Sequence, residues 1–205
     1  MSKYLDRFST AERLLHWIVT VSFFTLVLSS LGLFSRLFTG YFQFFGNGRN
    51  AIMVHKFAGV TYLVSSSLFF LQHWKGCSRF DASDFQWVKA CGGYLTRKEV
   101  HLEVGMFNFG QKIFALFIGF GTILLGITGL FIWHPTLFPR PIVQFSLMTH
   151  SLLFVGSIMF VIVHVYLGTI GNPGTLEGML WGRVRRTWAR NEHSRWYREK
   201  LKAEE

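Results

Sequence analysis

The chain is divided by four long stretches without Asp, Glu, Lys or Arg: 22 residues from Leu14 to Ser35, 18 from Phe57 to Trp74, 27 from Ile113 to Pro139 and 36 from Pro141 to Leu176. A helix needs roughly 20 apolar residues to cross the hydrocarbon core of a bilayer, so each stretch is read as a membrane span. Half of the residues are hydrophobic although the formal net charge is +10, which means that the charges crowd into the segments between the spans. The expectation is a single all-α domain over residues 1–205, an integral membrane four-helix bundle with spans at about 13–35, 51–74, 107–133 and 142–170 and a basic tail over 175–205. The first apolar run is too long for a secretory signal and no small-x-small site follows it, so that span is expected to be retained.

Four spans place both ends of the domain on one side. With that side inside, the inner segments hold Lys3, Arg7 and Arg13, then Lys75, Arg79, Lys89, Arg97, Lys98 and Lys112, then eight basic residues from Arg183 to Lys202. Only Arg36, Arg49, Lys56 and Arg140 fall outside, and this asymmetry predicts cytoplasmic N- and C-termini. The same distribution makes the basic excess a topology signal rather than a nucleic-acid footprint. Outer turns are marked by Gly46-Asn47-Gly48 and by Pro135, Pro139 and Pro141. The inner segment 75–106 is polar and is expected to run along the surface. The tail interleaves Arg with Trp188, Trp196 and Tyr197, a pattern suited to lipid headgroups or to an acidic partner. Cys77 and Cys91 are the only cysteines and form no Cys-x-x-Cys-His, so they are expected to be free thiols, and any haem to be of the non-covalent b type.

Four histidines lie within or at the ends of the spans: His16, His55, His150 and His164. An imidazole in hydrocarbon is costly and calls for a partner, and haem iron is one that neutral imidazole serves well. His16 begins the first span on the inner side and His55 begins the second on the outer side. His150 and His164 are fourteen residues apart, about four turns and 21 Å of rise with a residual rotation of about 40°, so both face one way. Matching depths pair His55 with His150 near the outer face and His16 with His164 near the inner one, the arrangement that would hold two haems. Each also has a plainer reading, since a histidine at a helix end is commonly an interfacial residue. His73, eighteen residues and five turns beyond His55, is a rival for the inner pair, although about 27 Å of separation and its neighbours Trp74 and Lys75 place it at the headgroups. His101, His134 and His193 fall where water is accessible and are not expected to be ligands. Gly59 and Gly168, four residues beyond His55 and His164, leave room for a flat macrocycle or for close helix packing. Gly126 and Gly129 fit the packing role.

Several segments carry a resemblance. Leu15-His16-Trp17, His55-x-x-x-Gly59, Asn108-Phe109-Gly110-Gln111-Lys112, Arg186-Thr187-Trp188-Ala189 and Arg195-Trp196-Tyr197-Arg198-Glu199 together resemble the cytochrome b (gamma) subunit of respiratory formate dehydrogenases, over essentially the whole chain. The resemblance implies a multi-pass protein of the bacterial inner membrane with two b haems. It implies an iron-sulfur (beta) subunit that supplies electrons, a catalytic molybdenum or tungsten (alpha) subunit, and a trimer of heterotrimers as the assembly it allows. It further implies quinone reduction, with menaquinone or ubiquinone as substrate, on the inner side. Carried over by position, His55 and His150 would ligate the outer haem iron, His16 and His164 the inner one, and Asn108, Gly110 and Gln111 would line the quinone pocket. The same three residues would equally serve as the cap and first turn of the third span. Where the family pattern has proline after the second-span ligand, this chain has Lys56, which would pair with a propionate, raise the potential or simply reach the headgroups. The histidines alone would also suit the cytochrome b of a nickel-iron hydrogenase, and the basic tail would suit a haem-free structural anchor.

Overall fold

The computed structural model describes residues 2–93 and 102–204. His101, Arg97 and Lys98 of the inner segment lie outside the described residues. Four helices have the length and hydropathy to cross a membrane: α1 (Thr10–Phe34), α2 (Gly48–Cys77), α4 (Phe109–Trp133) and α5 (Arg140–Tyr166), the last prolonged by a wider π-type turn to Gly171. Their ends fall within three residues of those expected from charge alone. Between them lie a 3-10 helix, Arg36–Phe45, and the short α3 (Ala82–Lys89); after them come α6 (Thr175–Trp181), β2 (Arg183–Arg185), α7 (Arg186–Glu192) and α8 (Ser194–Glu204). A first strand, β1 (Tyr4–Asp6), precedes α1.

Local chemistry sets the starts of three helices. Ser9 and Glu12 satisfy each other's backbone N–H groups at 2.7 and 3.2 Å ahead of α1. Asp81 and Asp84 make the same reciprocal pair ahead of α3, and Asn108 and Gln111 ahead of α4. Each pair supplies acceptors to N–H groups that a helix leaves without a partner in its first turn.

The chain forms two compact units. One comprises Leu14–Phe69 and Ile118–Met159, segments of all four spans. Its most buried polar residues are small hydroxyls: Ser22, Ser29, Ser65, Ser66, Thr122, Thr128, Ser146 and Ser157. Small side chains let membrane helices approach closely, and Ser22, Ser29, Ser65 and Thr128 donate to a carbonyl one turn earlier, which satisfies them without water. Ser66 and Thr122 meet between α2 and α4 at 3.2 Å. Gly126 follows the packing expectation, because a Cβ there would lie 2.9 Å from the Leu63 side chain.

The other unit contains the described residues of Met1–Arg13, Phe70–Phe117 and Phe160–Glu205. Here the tail does not lie open to the headgroups. Strand β1 pairs antiparallel with β2, Leu5 opposite Val184, and Trp188, Ala189 and Trp196 close a core over them. Trp188 and Trp196 are 8% and 5% exposed, so they are interior residues. Gly182 makes the junction: its carbonyl accepts from the Arg7 and Phe8 N–H groups, its φ is +78°, and a Cβ would stand 2.7 Å from the Phe8 carbonyl oxygen. Because β1 precedes the first span and β2 follows the last, their pairing requires an even number of crossings. Arg195 ties the tail to the loop before α3 through Asp81 at 2.8 Å. Cys77 and Cys91 are both free thiols, the first buried and the second exposed.

Inside this cap His193 is 1% exposed. Its Nδ1–H donates to the Gly105 carbonyl at 2.6 Å, and Nε2 accepts from the Arg7 guanidinium at 3.3 Å. Arg7 also donates to the Met106 carbonyl and lies over the Trp188 and Trp196 rings at 4.6 and 5.4 Å. Burial, and then the Arg7 charge, hold the His193 imidazole well below its ordinary value of 6.5. The unfolded cap takes up a proton as pH falls through that value whereas the folded cap does not. Cap stability is therefore complete above pH 6.5 and declines as pH falls below it. Hydrogen-exchange protection of residues 102–106 and of α7, corrected for intrinsic rates, is expected to fall on acidification from pH 6.5. Protection independent of pH in that range would refute the role of His193.

Candidate functional site

His55 on α2 and His150 on α5 belong to the same unit. Each ring is met at Nδ1 by a hydroxyl from a neighbouring helix: Ser29 on α1 at 3.1 Å from His55, and Thr128 on α4 at 3.0 Å from His150. Gly129 gives His150 its space, since a Cβ at that glycine would stand 3.5 Å from the ring. Lys56, next to His55, holds its ammonium 4.7 Å over the Trp133 ring, a cation–π contact at the outer ends of α2 and α4. Gly59 is in ordinary contact with Leu26 at 3.8 Å.

His16 belongs to this unit as well and meets Trp17 and Phe69 edge-on or tilted, at 5.5 and 5.9 Å between ring centroids. His164 belongs to the other unit. Its ring lies flat against Phe114, with centroids 4.3 Å apart and planes 5° from parallel, and open space surrounds Gly168 one turn on. His73, the rival for the inner role, is engaged elsewhere: its Nε2 is 3.1 Å from Glu12 Oε1, and Phe8 and Phe107 meet the ring at 6.2 and 5.6 Å.

Asn108, Gly110 and Gln111 lie together at the start of α4. The Asn108 N–H donates to Gln111 Oε1 at 3.0 Å and the Gln111 N–H to Asn108 Oδ1 at 2.8 Å. The capping role is thus filled by the two carbonyl oxygens, while the amide NH2 ends lie outside the reciprocal pair. Gly110 is covered rather than open: Trp87 of α3 reaches to 3.1 Å of where a Cβ would stand. One residue further on, the Lys112 ammonium donates to Asp84 Oδ2 at 2.6 Å and to the Arg79 carbonyl at 2.8 Å, and both members of the ion pair are buried. This pair pins the start of α4 to α3. Sequence reasoning did not anticipate Ser29, Thr128, Trp87 or the Asp84–Lys112 pair. The charges of Asp84 and Lys112 were the one available signal, and their separation of 28 residues concealed the partnership.

The class of molecule follows from these observations: an integral membrane protein of four helical spans, three of which carry imidazoles. The chain belongs to the prokaryotic cytochrome b561 family, whose model matches residues 7–182. It is 34% identical to the formate dehydrogenase cytochrome b556(fdo) subunit of Escherichia coli K12, over 97% of this chain and 94% of that one. The nitrate-inducible formate dehydrogenase cytochrome b556(Fdn) subunit of the same organism is 31% identical, over 99% and 94%. A formate dehydrogenase cytochrome b556 subunit of Haemophilus influenzae is 26% identical, over 95% and 83%. With four apolar spans, family membership makes this a multi-pass protein of the bacterial inner membrane.

A cytochrome b binds haem b, and the donor set around His55 and His150 fits that group. Two imidazoles from different helices, each with Nδ1 met by a hydroxyl, keep Nε2 as the remaining ring nitrogen.

Loss of the Asp84 carboxylate would leave the Lys112 ammonium buried without its counter-charge. Asp84→Ala is expected to cost about 3–5 kcal/mol in the unit that holds α3, seen as a lower unfolding temperature of the detergent-solubilised complex. Asp84→Ala combined with Lys112→Met is expected to recover most of that loss. An unchanged transition in the single variant would show that the pair contributes little.

Proposed function

We propose that this chain is the membrane-anchoring di-haem b subunit of a formate dehydrogenase complex, passing electrons from an iron-sulfur subunit on the outer side to a quinone near the cytoplasmic side. The observation that carries the reading is full-length similarity, at 34% and 31% identity, to subunits so named. When bound, two b haems supply one-electron sites at two depths, which converts the two-electron chemistry of a partner into a path across the bilayer. His55 and His150 hold the outer haem iron, and His16 and His164 the inner one. Glu12 keeps His73 occupied, which favours His16.

Asn108, Gly110 and Gln111 form the quinone pocket in this reading. Amide NH2 groups hydrogen-bond a quinone carbonyl without adding fixed charge, and their carbonyl ends are already committed to the helix start. Trp87 over Gly110 adds an aromatic wall suited to a flat ring. Formate chemistry belongs to the molybdenum or tungsten subunit, and the share of this chain is quinone reduction. Formate oxidised outside and protons taken up inside would together build a membrane potential.

In the assembled complex, His150→Ala and His164→Ala are each expected to remove one haem and leave the other, measured by pyridine haemochrome content and optical redox spectra. Retention of both haems in either variant would refute the ligand assignment. His16→Ala is expected to remove the inner haem and His73→Ala to preserve it; the reverse result would move the ligand to His73. Gln111→Ala is expected to slow haem reoxidation by quinone about tenfold or more at unchanged haem content, in line with the loss of a donor worth about 1.5 kcal/mol. An unaltered rate would leave Gln111 with its capping role alone. Co-purification with a nickel-iron large subunit in place of a formate-oxidising one would overturn the assignment of the complex.

A further inference from the structure

We infer that Ser29 and Thr128 are positioning residues for the outer haem, fixing the tautomer and ring orientation of His55 and His150 so that both imidazoles offer Nε2 to the iron. The inference rests on the reading of those two histidines as ligands and adds to it two residues from the helices that carry neither.

The direction of each hydrogen bond can be deduced from hydroxyl chemistry. A serine or threonine hydroxyl has one proton to give. Ser29 Oγ lies 2.7 Å from the Thr25 carbonyl, and Thr128 Oγ1 lies 2.7 Å from the Leu124 carbonyl. Carbonyl oxygens only accept, so each hydroxyl proton is committed to its own helix. With the hydroxyl protons so placed, the hydroxyl oxygens accept from the imidazoles at 3.1 and 3.0 Å, and Nδ1 of both rings carries the proton. A neutral imidazole protonated at Nδ1 has its lone pair on Nε2. The two sites are built alike from different helices, α1 serving α2 and α4 serving α5, so every span contributes to the outer site. Ser29 and Thr128 are among the most buried side chains of the chain, 1% and 4% exposed, which removes water as a competing partner. The Leu26 and Leu125 backbone carbonyls also accept from the His55 and His150 rings, so the loss of the hydroxyl leaves a single anchor and loosens the imidazole.

Three properties should change together. Hydrogen bonding from Nδ1–H increases electron donation by the ring and favours ferric iron, so its loss raises the midpoint potential of that haem. A freed ring changes the angle between the two imidazole planes, which the largest g value of a low-spin ferric haem reports. Haem retention weakens by about tenfold, the lower end of what the loss of a ligand-orienting hydrogen bond costs.

The experiment uses the assembled complex with Ser29→Ala, Thr128→Val and the conservative pair Ser29→Thr and Thr128→Ser. Redox titration, low-temperature electron paramagnetic resonance and the rate of haem transfer to apomyoglobin are measured on each. Ser29→Ala and Thr128→Val are expected to raise the midpoint and shift the largest g value of one haem only, and to speed loss of that haem about tenfold. The conservative variants are expected to match the parent, which separates the hydroxyl from side-chain volume. Unchanged midpoints and g values in both non-hydroxyl variants would overturn the inference. His55→Ala and His150→Ala, carried alongside, distinguish the two levels. If each of these removes a haem while the hydroxyl variants change nothing, only the positioning role fails. If neither removes a haem, the ligand reading fails first.

Discussion

Hydrocarbon offers no hydrogen bonds, and the membrane part of this chain is organised around that deficit. Charged side chains are absent from the long apolar stretches, and the hydroxyls that remain are turned back on their own helices. Backbone groups are satisfied within each helix. The imidazoles are the groups that local back-bonding cannot satisfy, and they must find partners across helix boundaries. Ser29 and Thr128 supply acceptors for two of them, Phe114 a flat apolar face for His164, and Glu12 a carboxylate partner for His73. The polar groups of the spans thus determine which helix faces must meet, and the small residues among them allow the approach.

The unit formed by the chain ends obeys a different rule. Its core of Leu5, Val184, Trp188, Ala189 and Trp196 is that of a small soluble fold, with a two-stranded sheet, tryptophan packing and a caged arginine. Arg7 has lost most of its water, and burial pushes its guanidinium down to about 9, still charged at neutral pH. The Met106 carbonyl and His193 Nε2 accept from Nη2 and aromatic faces lie against the guanidinium, while Nε and Nη1 are buried without a hydrogen-bond partner among the described residues.

The spans were legible because exclusion of charge over twenty residues is a long, unambiguous signal, and so was the even count that places β1 beside β2. Depth along a helix is fixed by residue number, and that alone led to the proposal of His55 with His150 as a pair. What escaped was whatever depends on azimuth or on distant partners. Ser29 and Thr128 look like any hydroxyl in a membrane helix until the neighbouring ring is seen. Strands of three residues carry no usable period, so β1 and β2 left no trace. The tail was misjudged for a physical reason: arginine alternating with tryptophan suits headgroups, but the same tryptophans suit an interior once Leu5 and Val184 are available to cover. Asn108 and Gln111 showed the opposite ambiguity, because the spacing that caps a helix is also the spacing that gathers two amides at one site.

The pairing of β1 with β2 has a consequence for biosynthesis. Leu5 and Val184 are separated by nearly the whole domain, so the first strand leaves the ribosome long before its mate exists. During that interval Arg7 has neither Trp188 nor Trp196 around it and remains a hydrated cation. Only when the fourth helix has been threaded and the last segment released can the arm be captured. Closure of the cap is therefore a late event, possible only once the last span has been made and β2 has followed it.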